Sequence, residues 1–266
     1  TLTLKGYLDN YIRFQKEIVT RRTKFDLEKA KARMHILEGL RIALANIDAV
    51  IKELETLDGI PTDYSKLNGL KIYTNFDYET QSSLENNIKE EFPSDTELQV
   101  ASVVMNPDNG GILALVGGMD YNKSTFNRSV DASRQVGSTM KPYLYYAALE
   151  NGFTTSTSFF SSETTFTLDN KKTYSPRNYN DKYGNKAISM AAATAYSDNI
   201  YAVKTHLFLG ENNLINTSSR LGIESKLQAI PSLALGTGEI SMVELVEAYS
   251  SFANMGYKVE SHFIER

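Results

Sequence analysis

The sequence predicts an α+β body preceded by a long α-helical segment, and three observations carry that prediction. Before residue 57, apolar residues recur at seven-residue spacing. A run of chain breakers follows. Beyond it, short strand-like and helix-like pieces alternate to the end of the sequence.

Residues 1–57 contain no proline and two glycines, Gly6 and Gly39. Leu37, Leu44 and Ile51 form one row, and Leu40, Ile47 and Leu54 a second. The rows interleave at three and four residues, which makes one apolar stripe of helical period. A helix over about 26–56 is long for a compact domain and reads as an arm or one strand of a coiled coil. Gly59, Pro61, Asp63, Asn68 and Gly69 then mark 58–68 as a linker. The expected division is a helical arm at 1–57, that linker, and a body at 69–266.

Within the body, "LKIYTNF" (70–76) is a strand candidate, and 78–92 is a helix with Leu84, Ile88 and Phe92 on one side. Residues 98–118 hold two apolar runs around Asn106-Pro-Asp-Asn-Gly-Gly111, a β-hairpin pattern. Helix-like stretches follow from Ser138, over 187–209 and over 241–255. The last opens on Ser241-Met-Val-Glu244, which has capping-box form, and Gly256 is placed to stop it.

Composition narrows the function. The 266 residues are 41% hydrophobic and 23% charged, enough for a folded core. A net charge of −4 predicts no nucleic-acid partner. Without cysteine there is no disulfide or thiolate chemistry, and His35, His206 and His262 are too scattered for a metal site. No cofactor is implied. No signal peptide and no apolar run of about 18 residues stands in the sequence.

Two short motifs carry chemistry. Ser138-Thr-Met-Lys141 is an S-x-x-K: three residues apart on a helix, the amine shares a face with the hydroxyl. Serine needs a neighbouring base to act as a nucleophile, and a lysine serves once burial lowers its pKa. Ser197-Asp198-Asn199 is a turn that can set a second hydroxyl beside the amine and a carboxamide toward a substrate. Each motif alone is weak, since an S-x-x-K arises by accident about once in a chain this long.

Their surroundings are more specific. "RQVGSTMKPYLYYAALENGF" (134–153), "YSPRNYNDKYGNKAISMAAATAYSDNIYAVKTHLFLG" (174–210), "LALGTGEISMVELVEAYSSFANMGYKVESHFIER" (233–266) and "GLKIYTNFDYETQSSLE" (69–85) resemble the transpeptidase domain of class A penicillin-binding proteins. The resemblance spans about 64–266. It implies a penicillin-binding-protein/β-lactamase-like fold and an acyl-serine mechanism on D-Ala-D-Ala stem peptides of peptidoglycan, or on β-lactams. It also implies an extracytoplasmic place at the bacterial membrane. By the same resemblance, Ser138 would be the nucleophile, Lys141 its base, Ser197 a proton relay, and Asn199 a ligand to the acyl-side amide. The Ser138 amide would supply half of an oxyanion hole.

Residues from about Leu4 to Glu55, most specifically "RRTKFDLEKAKARMHILEGLRIAL", resemble the coiled-coil arm in the A subunit of bacterial DNA gyrase and its topoisomerase IV relative. Two families in one chain imply a fusion, and the apolar stripe implies that the arm packs on the second segment or self-associates with another copy.

The third motif of the transpeptidase family, Lys-Ser/Thr-Gly, does not occur. Gly236-Thr-Gly238 lacks the lysine, so turnover is expected to be impaired and the domain to be incomplete at its C-terminus. Two other readings stay open at this point: a serine β-lactamase or β-lactam sensor, and a non-catalytic helical interaction module.

Overall fold

A computed structural model describes residues 13–31 without 14 and 26, 72–168 without 94 and 95, and 171–265. The described residues at 15–25 and 27–31 are helical and exposed, with an Arg21–Glu17 ion pair at 2.5 Å one turn apart. The heptad rows at 37–54, the linker at 58–68 and the first two residues of the strand candidate lie outside the described residues.

The body begins with α1 (Tyr78–Glu91), whose N-cap Asp77 accepts a hydrogen bond from the Thr80 amide at 2.8 Å. Next comes the expected hairpin, β1 (Ser102–Met105) and β2 (Ile112–Val116), antiparallel with a bulge between Val104 and Met105. Buried Gln81 of α1 substitutes for a strand on the far side of β2. Its Nε2 donates to the Leu115 carbonyl at 3.1 Å, and its Oε1 accepts from the Leu115 amide at 2.8 Å. Both main-chain groups of a buried strand residue are thus satisfied by one side chain.

Residues 72–76 do not form the expected strand. Thr74 makes a single antiparallel bridge to Ile264, and His262 makes a parallel one to Gly111. The segment 262–264 therefore lies between the N-terminal end of β2 and the chain before α1. Phe263 and Ile264 pack there with Ile112 and Leu115, against Phe76, Val103, Val130 and Val243.

The larger core lies among the helices. The elements are β3 (Ser133–Gln135), a 3₁₀ turn at Gly137–Met140, α2 (Lys141–Glu150) and β4 (Ser158–Ser161). The short strands β5 (Phe166–Thr167) and β6 (Thr173–Tyr174) pair with each other before β7 (Lys186–Ser189). Then come α3 (Met190–Tyr196), α4 (Asn199–Leu209), α5 (Glu211–Arg220), β8 (Glu239–Ser241) and α6 (Met242–Ala253). Tyr143, Leu144, Tyr201, Val203, Leu214 and Leu233 are fully or almost fully buried at its centre. Buried Ala148, Ala193, Ala202 and Ala248 accompany them. Aromatic rings meet edge to face there: Tyr143 with Tyr249 at 5.3 Å and Phe159 with Tyr201 at 5.3 Å.

Two expectations change in detail. The stretch 187–209 is not one helix. It is a strand that pairs with β4, then two helices broken at Ser197, whose φ of 52° and ψ of 44° are left-handed. Ser197 ends α3, and Asp198 caps α4 by accepting from the Tyr201 amide at 2.8 Å. At α6, Ser241 caps as expected, accepting from the Glu244 amide at 3.3 Å. Glu244 reaches elsewhere, taking hydrogen bonds from the Glu224 and Ser225 amides and the Ser225 hydroxyl, each at 2.6 Å. Among the described residues, no helix is long and apolar enough to cross a membrane.

Candidate active site

Ser138 stands in the 3₁₀ turn that leads into α2, so it lies at a helix N-terminus as the motif predicts. Three contacts hold that turn. Gly137, at φ +59°, donates its amide to the Gly236 carbonyl at 3.0 Å. The Val136 amide faces the Gly238 carbonyl at 3.4 Å, continuing the antiparallel pairing of β3 with β8. The Tyr249 hydroxyl donates to the Thr139 carbonyl at 2.7 Å. Gly236 itself sits at φ +70°, and a Cβ there would meet the Gly137 carbonyl oxygen at 2.0 Å. Sequence reasoning set Gly236-Thr-Gly238 aside for want of a lysine. Its two glycines instead fasten the backbone that presents Ser138: Gly236 takes a left-handed backbone, and Gly238 packs where a Cβ would meet Leu227 at 2.6 Å.

Lys141 is the first residue of α2 and is 3% exposed. Its Nζ donates to three acceptors of the Ser-Asp-Asn turn: the Ser197 carbonyl at 2.7 Å, the Ser197 Oγ at 2.8 Å and the Asn199 Oδ1 at 2.7 Å. The Ser197 Oγ in turn lies 3.1 Å from the Ser138 Oγ. The four residues singled out from the sequence thus meet, in one line. Ser197 stands between the Ser138 hydroxyl and the Lys141 amine, and no direct Ser138–Lys141 hydrogen bond occurs among the described residues. Both serines are exposed, while the lysine beneath them is buried.

Burial lowers the Lys141 pKa to about 8, against a smaller upward pull from the Asp198 carboxylate. Hydroxyl hydrogens rotate, so the charge on the amine sets the sense of the line. A protonated Lys141 donates to Ser197, which donates to Ser138. A neutral Lys141 accepts instead, and the line then draws a proton away from Ser138.

The Asn199 amide is oriented by its other end. Its Nδ2 donates to the Arg177 carbonyl at 2.7 Å, and a carbonyl can only accept, so Oδ1 must face Lys141. The expected hydrogen bond to a substrate amide therefore falls to the remaining Nδ2 hydrogen. Among the described residues, no group of three or more His, Asp or Glu stands together as a metal site. A cavity of about 410 Å³ between α1 and the 117–127 loop contains none of these four residues.

A paired hydroxyl and buried amine at a helix N-terminus is equipment for acyl transfer through serine. Residues 100–266 match the family model of the penicillin-binding protein transpeptidase domain, and the chain belongs to that family. It is 48% identical over 220 residues to penicillin-binding protein 2D of Bacillus subtilis (strain 168), covering 82% of this chain and 32% of that protein. The crystal structure of penicillin-binding protein 1A from Haemophilus influenzae superposes with a TM-score of 0.60 at 34% identity, over 63% of this chain and 25% of that one. Penicillin-binding protein PonA1 from Mycobacterium tuberculosis shares the fold, with a TM-score of 0.71 at 22% identity over 84% of this chain and 60% of the other. The chain thus spans about a third of the length of its Bacillus relative. Residues 1–69 match a different model, that of the A subunit of DNA gyrase/topoisomerase IV.

Proposed function

We propose that the chain carries the acylation site of a D-Ala-D-Ala transpeptidase of peptidoglycan cross-linking, which β-lactams also acylate. The observation that carries this is the line Ser138 Oγ–Ser197 Oγ–Lys141 Nζ, with steps of 3.1 and 2.8 Å. In the reaction, Ser138 Oγ bonds to the carbonyl carbon of the penultimate D-Ala. Its proton moves to Ser197 while the Ser197 proton moves to neutral Lys141. The terminal C–N bond then breaks, the departing D-Ala amine takes the proton back along the same line, and an acyl-serine remains. The Ser138 amide, in the 3₁₀ turn that opens its helix, would stabilise the oxyanion. The amino group of a second stem peptide would then take the acyl group.

Labelling with a fluorescent penicillin tests this. A covalent adduct mapping to Ser138, lost in Ser138→Ala, is expected. No adduct, or one that survives the substitution, would overturn it. The adduct should persist, whereas rapid hydrolysis of a chromogenic cephalosporin would favour the β-lactamase reading.

For residues 1–57 we propose a helical arm joined through 58–68 to the body at 69–266, a fusion of two families in which the arm mediates self-association. The family match at 1–69 and the exposed helical residues within 13–31 support this reading. First cleavage by protease within 58–68, with a dimer in sedimentation, is expected. A monomer resistant to cleavage there would refute it.

A further inference from the structure

We infer that Asn178 is a positioning residue for this site, acting through the Ser197–Asn199 turn. The inference rests on the proposed roles of Ser197, Asn199 and Lys141, none of which Asn178 touches through its side chain except by the Asn199 backbone.

Asn178 lies between β6 and β7, remote in sequence from the turn, yet it is 9% exposed and its amide is fully engaged. Its Oδ1 accepts from the Asn199 amide at 2.7 Å and the Ile200 amide at 3.4 Å, the first N–H groups of α4. Its Nδ2 donates to the Asp198 Oδ2 at 2.7 Å and the Lys182 carbonyl at 3.0 Å. The preceding residue supplies the carbonyl that orients the Asn199 carboxamide. Residues 177 and 178 thus grip Asn199 by its side chain and its backbone, and Asp198 by its carboxylate. Ser161 completes the anchor from β4, its hydroxyl donating to the same Asp198 oxygen at 2.5 Å.

The chain adopts unusual backbone to achieve this. Asn180 and Asp181 stand at φ 55° and 52°, two consecutive left-handed residues that turn the Lys182 carbonyl back onto Asn178. Consecutive left-handed residues without glycine persist where surrounding contacts over-determine them. The consequence reaches the amine, because all three of its acceptors, the Ser197 carbonyl, the Ser197 Oγ and the Asn199 Oδ1, belong to the turn that Asn178 holds.

The chemistry at Asn178 allows a discriminating substitution. Asn178→Asp keeps the shape. As a neutral acid it still donates to Asp198 and accepts from the Asn199 amide, but as a carboxylate it sets two acceptors against each other. The charged or titratable groups around it are Asp198, Lys141 and Tyr145, which sense Asp198 electrostatically, and Arg177, which pairs with Asp181 at 3.7 Å.

The experiment measures the rate of penicillin acylation at Ser138 between pH 5.5 and 8.5 in the whole chain, wild type, Asn178→Asp and Asn178→Ala, within the range where thermal melting shows each folded. The Asp-to-wild-type rate ratio should fall about tenfold or more as pH rises through the acid's titration. The Ala variant should be slow throughout. In parallel, a carbon-13 NMR titration of the Lys141 side chain, which needs no acylation, should give a midpoint above wild type for Asn178→Asp. A pH-independent ratio in an acylating protein, or an unmoved Lys141 midpoint, overturns the inference. If wild type is not acylated, the proposed function fails and the NMR titration alone decides.

Discussion

The Gly236 carbonyl accepts the Gly137 amide at 3.0 Å, and this bond ties the loop before β8 to the backbone that turns into Ser138. Each glycine is in the left-handed region, and at Gly236 the close approach also depends on the missing Cβ. Gly236→Ala is expected to lower stability by about 1–2 kcal/mol from backbone strain alone. The clash with the Gly137 oxygen should also shift the turn, so acylation should fall further than melting does. Parallel melting and penicillin-labelling measurements check this.

Acylation should follow the neutral fraction of Lys141. Burial lowers its pKa to about 8, so the rate is expected to rise as pH increases through about 8 and then level off. Ser197→Gly removes the hydroxyl while accepting the left-handed backbone, and should lower the plateau about 100-fold or more. A plateau unchanged by Ser197→Gly would mean that Lys141 takes the proton without the relay.

His206 is fully buried on α4, and its Nε2 lies 3.1 Å from the Ile230 carbonyl. That carbonyl can only accept, so the neutral ring carries its proton on Nε2. Burial lowers its pKa below the ordinary 6.5, against a smaller upward pull from the Ile230 hydrogen bond. Below pH 6.5 the unfolded chain then binds more protons than the folded one, and stability should fall as pH drops from there. The loss is bounded at about 1.4 kcal/mol per pH unit for one group. Urea unfolding at several pH values should show this dependence, reduced in His206→Gln.

Tyr143 is fully buried, and its hydroxyl meets no hydrogen-bond partner among the described residues. Burial raises its pKa, so the group stays neutral. Its ring still packs edge to face against Tyr249. Tyr143→Phe keeps that ring and removes an unsatisfied oxygen, so a gain of about 1 kcal/mol in thermal or urea unfolding is expected.

What the sequence made legible was local. Leu84, Ile88 and Phe92 on one side announce α1, the Asn106–Gly111 turn announces the hairpin, and Ser138 with Lys141 share a face because helical spacing requires it. What escaped was non-local. Nothing near Ser158–Ser161 or Lys186–Ser189 marks them as strands; they pair only because the chain between them folds back. Periodicity alone reads 187–209 as helical throughout; the Ser197-Asp198-Asn199 motif marks a turn inside it, but not that Ser197 takes a left-handed backbone. The grip of Gly236 on Gly137 spans almost a hundred residues, and it shows itself as geometry before it shows as a motif.

The left-handed backbone at Ser197 also sets a substitution spectrum. Glycine, asparagine and aspartate tolerate that conformation, and each of them lacks the hydroxyl. Threonine would keep the hydroxyl, but branching at Cβ makes φ near 52° costly for it. The backbone and the chemistry therefore admit different residues at this position, and serine is where the two sets overlap. A saturation library at 197, scored separately for folding and for acylation, should show two populations that meet at the residue already there.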